Sequence, residues 1–356
     1  ASPHHVGALI QRGAAHLAQG HHQLARADLN AAVTLAPKNG EALQVRGALL
    51  RRMGLHRLAI ADLDLSIRQL RRPLESYRER GLVHMATEEF ELAVADFGEA
   101  LDMAPMDAAL LRLRGQAHLA NGNLAAARAD LSASLEADPM TPETWTARAE
   151  VFLKMEQLQL ALDDVDQAIA LAPKDSRHHM LRARIHLRQD EAGLALEDLD
   201  AAIAADPDNA AARFMRAEQL FQLETFAGVI ADMNAVLRRD PTHTAALVLR
   251  GQAYYRRGDP QHAVQSMTAA LALAPDNTVA RLIRGGAYRD IGETARALTD
   301  LDHLLLGDPA NLAALDLRAA LHATAARPAS AHRDLTRILE ARPDALDLRR
   351  RRAAAA

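Results

Sequence analysis

The sequence predicts an all-α protein, a right-handed superhelical solenoid of tandem helix–turn–helix units. Three observations predict it. Ten arginines recur every 34 residues without insertion or deletion: Arg12, Arg46, Arg80, Arg114, Arg148, Arg182, Arg216, Arg250, Arg284 and Arg318. Small side chains recur in phase with them, and so does a proline. Unbranched length would allow two or three ordinary domains in 356 residues, but a repeat array grows in one direction and needs no central core.

Counting from Val6 as position 1, position 8 reads Gly13, Gly47, Gly81, Gly115, Ala149, Ala183, Ala217, Gly251, Gly285 and Ala319. Only a small side chain lets two helix backbones approach closely, so this position marks a helix–helix contact. Position 20 is alanine in every unit except for Val229. Position 27 is small in seven units, while Val236, Leu304 and Ile338 imply different packing toward the C-terminal end. Position 32 is proline in nine units, from Pro37 to Pro343, and the second unit carries Pro73 two residues late. Proline cannot continue a helix interior, so each one separates two units. Between prolines lie two amphipathic stretches of about a dozen residues. In five units a glycine splits them: Gly20, Gly54, Gly122, Gly258 and Gly292.

A 34-residue helical hairpin with this pattern resembles the tetratricopeptide repeat. Trp145 and Phe97 occupy positions where that family places aromatic residues. The resemblance spans residues 6–345 as ten units, after an N-terminal extension of residues 1–5 and before a capping helix and tail at 346–356. It implies that the first helix of each pair lines a concave groove and that hairpins stack into a right-handed superhelix. It implies an interaction protein, because the family shares an architecture and many partners rather than a chemistry.

The units depart from the family's commonest pattern at two positions. Position 7 is always arginine, and position 23 is aspartate nine times: Asp28, Asp62, Asp96, Asp130, Asp164, Asp198, Asp232, Asp300 and Asp334, with Ser266 as the exception. These positions lie on opposing helices of one hairpin. A ladder of Arg–Asp pairs follows as an expectation, because a planar guanidinium can bridge both oxygens of a carboxylate. Losing one partner costs roughly 3–5 kcal/mol when such a pair is dry and far less when it is wet. The competing reading is that the arginines line the groove and bind anions.

No catalytic constellation emerges. There is no Gly-rich phosphate loop, H-E-x-x-H, nucleophile elbow or calcium loop. The doublets Asp62/Asp64, Asp198/Asp200 and Asp300/Asp302 sit two residues apart on a helix, about 200° around it, so they do not converge. One member of each belongs to the ladder and the other to a solvated face. His16, His84, His118, His186 and His322 share position 11, one helical turn beyond the arginine. Successive units place them about 10 Å apart, too far to share an ion, so packing is expected rather than metal binding. The pairs His4–His5, His21–His22 and His178–His179 point in different directions on a helix. No cofactor is expected.

A net charge of −4 and a pI near 6.5 give no general pull toward nucleic acid or anionic membrane. The run Arg349–Arg352 reads as a solvated cap. No apolar run approaches the roughly 18 residues of a membrane span. Zero cysteines fits the cytosol and the periplasm equally. The chain begins at Ala1 rather than Met, as a product of signal cleavage or part of a longer chain would. Its Ala-, Arg- and Leu-rich composition points to a GC-rich bacterial genome.

The resemblance places groove residues at positions 2, 5, 9, 12 and 13. The asparagines with which one subclass grips a terminal carboxylate are absent from positions 6 and 9. In the first half of the chain the groove positions are often charged, as at Glu75, Arg112, Glu143 and Glu150. Toward the C-terminal half they become apolar and aromatic: Met180, Phe214, Phe221, Val248, Tyr255 and Leu282, with Gln252 among them and Arg177, Arg184, Arg188 and Arg256 flanking. An amphipathic helix or extended peptide with apolar anchors and acidic flanks would match this stripe. Packing between units is the competing reading, since repeat interfaces need such residues. The leading function is a non-enzymatic scaffold for a protein or peptide partner. The alternative is a building block that self-assembles end to end into a homo-oligomer or filament.

Overall fold

The computed structural model describes residues 5–342 and 345–355. His4, the rest of the extension before it, Pro343 and Ala356 lie outside the described residues. The described chain is helical and carries no strand. Each first helix has 13 residues and each second helix 14, from α1 (Val6–Ala18) and α2 (His22–Leu35) to α19 (Leu312–Thr324) and α20 (Pro328–Ala341). A shorter α21, Leu346–Ala354, packs on α20.

The helices form two compact units, residues 1–191 and 192–356. The first holds α3 (Gly40–Arg52), α4 (His56–Gln69), α5 (Leu74–Ala86), α6 (Phe90–Met103), α7 (Ala108–Ala120), α8 (Leu124–Ala137), α9 (Pro142–Lys154), α10 (Leu158–Leu171) and α11 (Ser176–Arg188) after α1 and α2. The second opens with α12 (Ala192–Ala205), α13 (Ala210–Gln222), α14 (Phe226–Arg239), α15 (Thr244–Arg256), α16 (Pro260–Leu273), α17 (Thr278–Asp290) and α18 (Thr294–Gly307).

Local chemistry sets the boundaries. After each position-32 proline, an Asn or Asp usually caps the next first helix: Asn39, Asp107, Asn209, Asn277 and Asn311 accept a hydrogen bond from a backbone N–H in its first turn. Position 15, in the turn inside each hairpin, has a left-handed backbone in all ten units. Gly20, Gly54, Gly122, Gly258 and Gly292 adopt it freely, whereas Glu88, Glu156, Asp190, Glu224 and Ala326 adopt it against the preference of an L residue.

Where position 8 is glycine, it packs on position 24 of the same hairpin. A Cβ added at Gly47 would lie 2.6 Å from Leu63 Cγ, and one at Gly81 would lie 2.7 Å from the ring of Phe97. Leu29, Leu63, Phe97 and Leu131 are fully buried in these contacts. First helices of neighbouring hairpins also touch: α1 with α3, α3 with α5, α7 with α9 and α9 with α11 in the first unit, α15 with α17 and α17 with α19 in the second. No comparable contact joins second helices among the described residues. In each unit the first helices therefore crowd on one side, and the second helices spread on the other.

Candidate functional site

In eight hairpins the arginine at position 7 reaches across to the aspartate of the second helix. Arg46 Nε donates to Asp62 Oδ2 at 2.6 Å and its Nη2 to Oδ1 at 2.8 Å. The same two-pronged bond joins Arg12 to Asp28, Arg80 to Asp96, Arg114 to Asp130 and Arg148 to Asp164 in the first unit. In the second unit it joins Arg216 to Asp232, Arg284 to Asp300 and Arg318 to Asp334. These aspartates are buried, Asp232 to 1% exposure, as Asp198 also is. The hydrogen bond to Asp96 and that to Asp232 push Arg80 and Arg216 above the ordinary arginine value, and the bond from Arg12 holds Asp28 below the usual carboxylate range.

The third edge of the guanidinium reaches the preceding hairpin. Arg80 Nη1 donates to Asp64, Arg182 Nη1 to Asp166, Arg216 Nη1 to Asp200 and Arg318 Nη1 to Asp302, at 2.5–2.7 Å. Arg46, Arg148, Arg250 and Arg284 use Asn30, Ser132, Asn234 and Thr268 in the same way. Of the second members of the acidic doublets, Asp200 and Asp302 are exposed and Asp64 is half-buried, and each is bonded to the next arginine. A solvated face alone does not account for them.

Arg250 differs. Its Nε donates to Ser266 Oγ at 3.1 Å, and no carboxylate among the described residues closes the pair. Burial without that counter-charge pushes its guanidinium down.

The position-11 histidines pack beside these pairs. Nε2 of His16, His84 and His118 lies 4.0, 3.7 and 3.8 Å from Asp28, Asp96 and Asp130. Nδ1 of His84 meets Glu89 at 2.6 Å and that of His186 meets Glu191 at 2.9 Å. Burial pushes His118 and His322 down, so burial outweighs the nearby carboxylates there.

On the first-helix side of the first unit, a cavity of about 300 Å³ opens between α7, α9 and α11. Glu143, Thr146, Glu150, Arg177 and His178 line it. Arg177 is exposed, pairs with Asp175 at 2.5 Å and stands 4.0 Å from Glu143. Arg184 is exposed 3.9 Å from Glu150, Arg188 pairs with Glu156, and Met180 is half-buried. The sequence gives little signal for two of the lining residues: Thr146 stands at groove position 5 without a charge or ring to mark it, and His178 is one of an adjacent histidine pair; His178 is 1% exposed and its Nδ1 lies 2.8 Å from Thr146 Oγ1.

In the second unit, Phe214, Phe221 and Val248 are half-buried against a core that includes Met233, Leu247 and Met267. Phe221 meets Phe226 edge-on at 5.5 Å between ring centres, and Arg256 lies 5.9 and 5.5 Å from the two rings. Arg256 Nη2 also donates to Glu224 at 2.7 Å. Tyr255 rests on the bare backbone of Gly286, where a Cβ would stand 2.7 Å from its hydroxyl, and Arg289 donates to that hydroxyl at 3.4 Å. Gln252 is half-buried, and Leu282 packs on the cluster containing Leu301 and Leu315. These side chains therefore contribute to packing between hairpins while keeping part of their surface open.

Tetratricopeptide repeat family models match residues 6–39, 78–140, 146–210, 191–244 and 244–277, which together cover more than half of the chain. No curated protein matches it. Among solved structures, the C-terminal part of a TPR repeat-containing protein from Cytophaga hutchinsonii is 20% identical, with a TM-score of 0.57 over 67% of this chain and 97% of that one. A Pseudomonas aeruginosa protein, pilF, is 18% identical, with a TM-score of 0.52 over 60% of this chain and 97% of its own. At these identities the likeness is one of fold. Ten in-phase hairpins and the family matches lead to one conclusion: the chain belongs to the tetratricopeptide repeat family.

Proposed function

We propose that this chain is a non-enzymatic scaffold that binds a segment of another protein along its first helices. Tetratricopeptide repeats are protein-interaction scaffolds, and no helix among the described residues is long and apolar enough to cross a membrane. The observation that carries the proposal is the crowding of first helices on one side of each unit, with an open cavity between α7, α9 and α11. Extended concave surfaces built this way are how solenoids present binding sites.

The ladder arginines are poor ligands for a partner, because nine of them already spend two or three nitrogen donors inside the protein, as Arg12 and Arg80 do. Their proposed role is to fix hairpin register. The candidate contacts are instead Arg177, Met180, Arg184 and Arg188 on α11 and, in the second unit, Phe214, Phe221, Val248, Gln252, Tyr255, Arg256 and Leu282. Arg188 and Arg256 reach back to Glu156 and Glu224, which are 59% and 68% exposed. Such wet pairs are worth about 0–1 kcal/mol, so an acidic flank on a partner could replace the glutamate.

The test is capture of a partner on the immobilised protein, identification by mass spectrometry, and repetition with Phe214, Phe221 and Tyr255 changed to alanine. Hot-spot aromatics typically contribute 2 kcal/mol or more, so capture should fall roughly thirtyfold. Unchanged capture by a folded triple variant would sink the proposed contacts. Light scattering that shows growth in size with concentration and no partner would favour self-assembly instead.

A further inference from the structure

The tenth hairpin carries an unusual cluster of basic side chains on the flank between α19 and α20, away from the first-helix side. A cavity of about 290 Å³ is lined by Arg318, His322, Ser330, Arg333, Asp334 and Arg337. Two of these, the arginine of position 7 and the aspartate of position 23, recur in nearly every unit, and the histidine of position 11 recurs in five of the ten. The other three, at positions 19, 22 and 26, belong to this unit alone. Elsewhere position 22 holds Ala27, Ala61, Ala95, Ala129, Asp163, Glu197, Ala231, Gln265 and Thr299, and position 26 holds no arginine either. The nine sister hairpins therefore act as internal controls, and none of them has the arginine pair.

The charges do not cancel. Arg318 is satisfied by Asp334 and Asp302. Arg333 and Arg337, one helical turn apart and both exposed, pair with no carboxylate among the described residues: Arg333 donates to Ser330 Oγ at 3.2 Å and Arg337 to the Pro309 carbonyl at 2.5 Å. Two guanidiniums thus face one cavity without counter-charge, next to a hydroxyl and a histidine whose buried Nδ1 has no hydrogen-bond partner. A carboxylate would neutralise only one of them. A tetrahedral dianion neutralises both and supplies several acceptor oxygens, the arrangement in which arginine excels. Asp334 also lines the cavity, but its charge is already committed to Arg318.

The geometry points to a phosphate-binding site here, formed by Arg333, Arg337 and Ser330 above the Arg318–Asp334 pair. At about 290 Å³ the cavity falls just under the roughly 300–1,000 Å³ of small-molecule sites, so it suits a phosphate on a small group.

Calorimetric titration of the full chain at constant ionic strength tests this, with inorganic phosphate, phenyl phosphate and acetate as separate probes. Saturable binding of either phosphate is expected, with acetate far weaker. The double change Arg333→Gln and Arg337→Gln should weaken binding at least about tenfold, the effect of losing one charge-assisted hydrogen bond. Arg296→Gln, on the exposed face of α18, should leave it unchanged, and circular dichroism should show each variant still helical. Tighter binding of phenyl phosphate marks a site for a phosphate monoester, and tighter inorganic phosphate marks a site for the free ion. Absence of saturable phosphate binding, equal affinity for acetate, or full binding by the folded double variant would overturn the assignment.

Discussion

At a rung of the ladder, one guanidinium performs two tasks because its donor edges point in different directions. The Nε/Nη2 edge closes its own hairpin on an aspartate 16 residues ahead, and Nη1 ties to a residue 16 behind, in the hairpin before. Arg250 has the second tie but not the first carboxylate. Ser266→Asp should therefore stabilise the protein by about 1 kcal/mol in urea unfolding, by completing a charge-assisted pair. A neutral or destabilising result would mean that Arg250 is already satisfied. The aspartate end of the ladder was legible in the sequence because only a carboxylate takes a two-pronged bond, so its identity recurs. The Nη1 tie was not legible, because any acceptor serves: Asn30, Asp64, Ser132 and Thr268 share one role without sharing a side chain.

At the scale of the helical hairpin, the small residue at position 8 sets how closely the two helices approach. Gly81 and Gly285 occupy the same position but not the same space. A Cβ at Gly81 would meet the Phe97 ring at 2.7 Å, whereas one at Gly285 would meet Leu301 at an ordinary 3.4 Å. Gly81→Ala should lower stability by about 1–2 kcal/mol through overpacking. Gly285→Ala should raise it by up to about 1 kcal/mol, through helix propensity alone. Thermal melts of the two variants check the contrast, and shifts of the same sign would contradict it. The hairpins were readable because proline, small residues and arginine keep one phase. The turn was readable only where glycine marks it. Glu88, Glu156, Asp190, Glu224 and Ala326 take the same left-handed backbone with residues that give no signal, because the surrounding hairpin imposes a conformation that costs them about 1 kcal/mol or more each.

At the scale of the whole molecule, repetition multiplies small effects. Burial pushes His118, His178 and His322 below the ordinary histidine value. Unfolded histidine takes its proton near roughly pH 6.5, so the stability held by these neutral side chains is complete above that and is lost as pH falls through their lower folded values. Asp28, bonded by Arg12, and Asp175, held at about 2 by its bond from Arg177, follow the same sign at lower pH. Their contribution is present above about pH 4 and is lost below it. Melting temperature should fall in two stages as pH is lowered from 8 to 2, and a flat profile between 7 and 5 would remove the histidines from the account. The proposed binding face is the part of the molecule that the sequence marked least clearly, since Phe214 and Phe221 pack between hairpins and offer surface at the same time. Hydrogen exchange on the protein bound to its captured partner tests the central claim most directly. Protection confined to first helices, α7, α9 and α11 in one unit and α13, α15 and α17 in the other, is the predicted result; protection on the second helices with the first helices unchanged would contradict it.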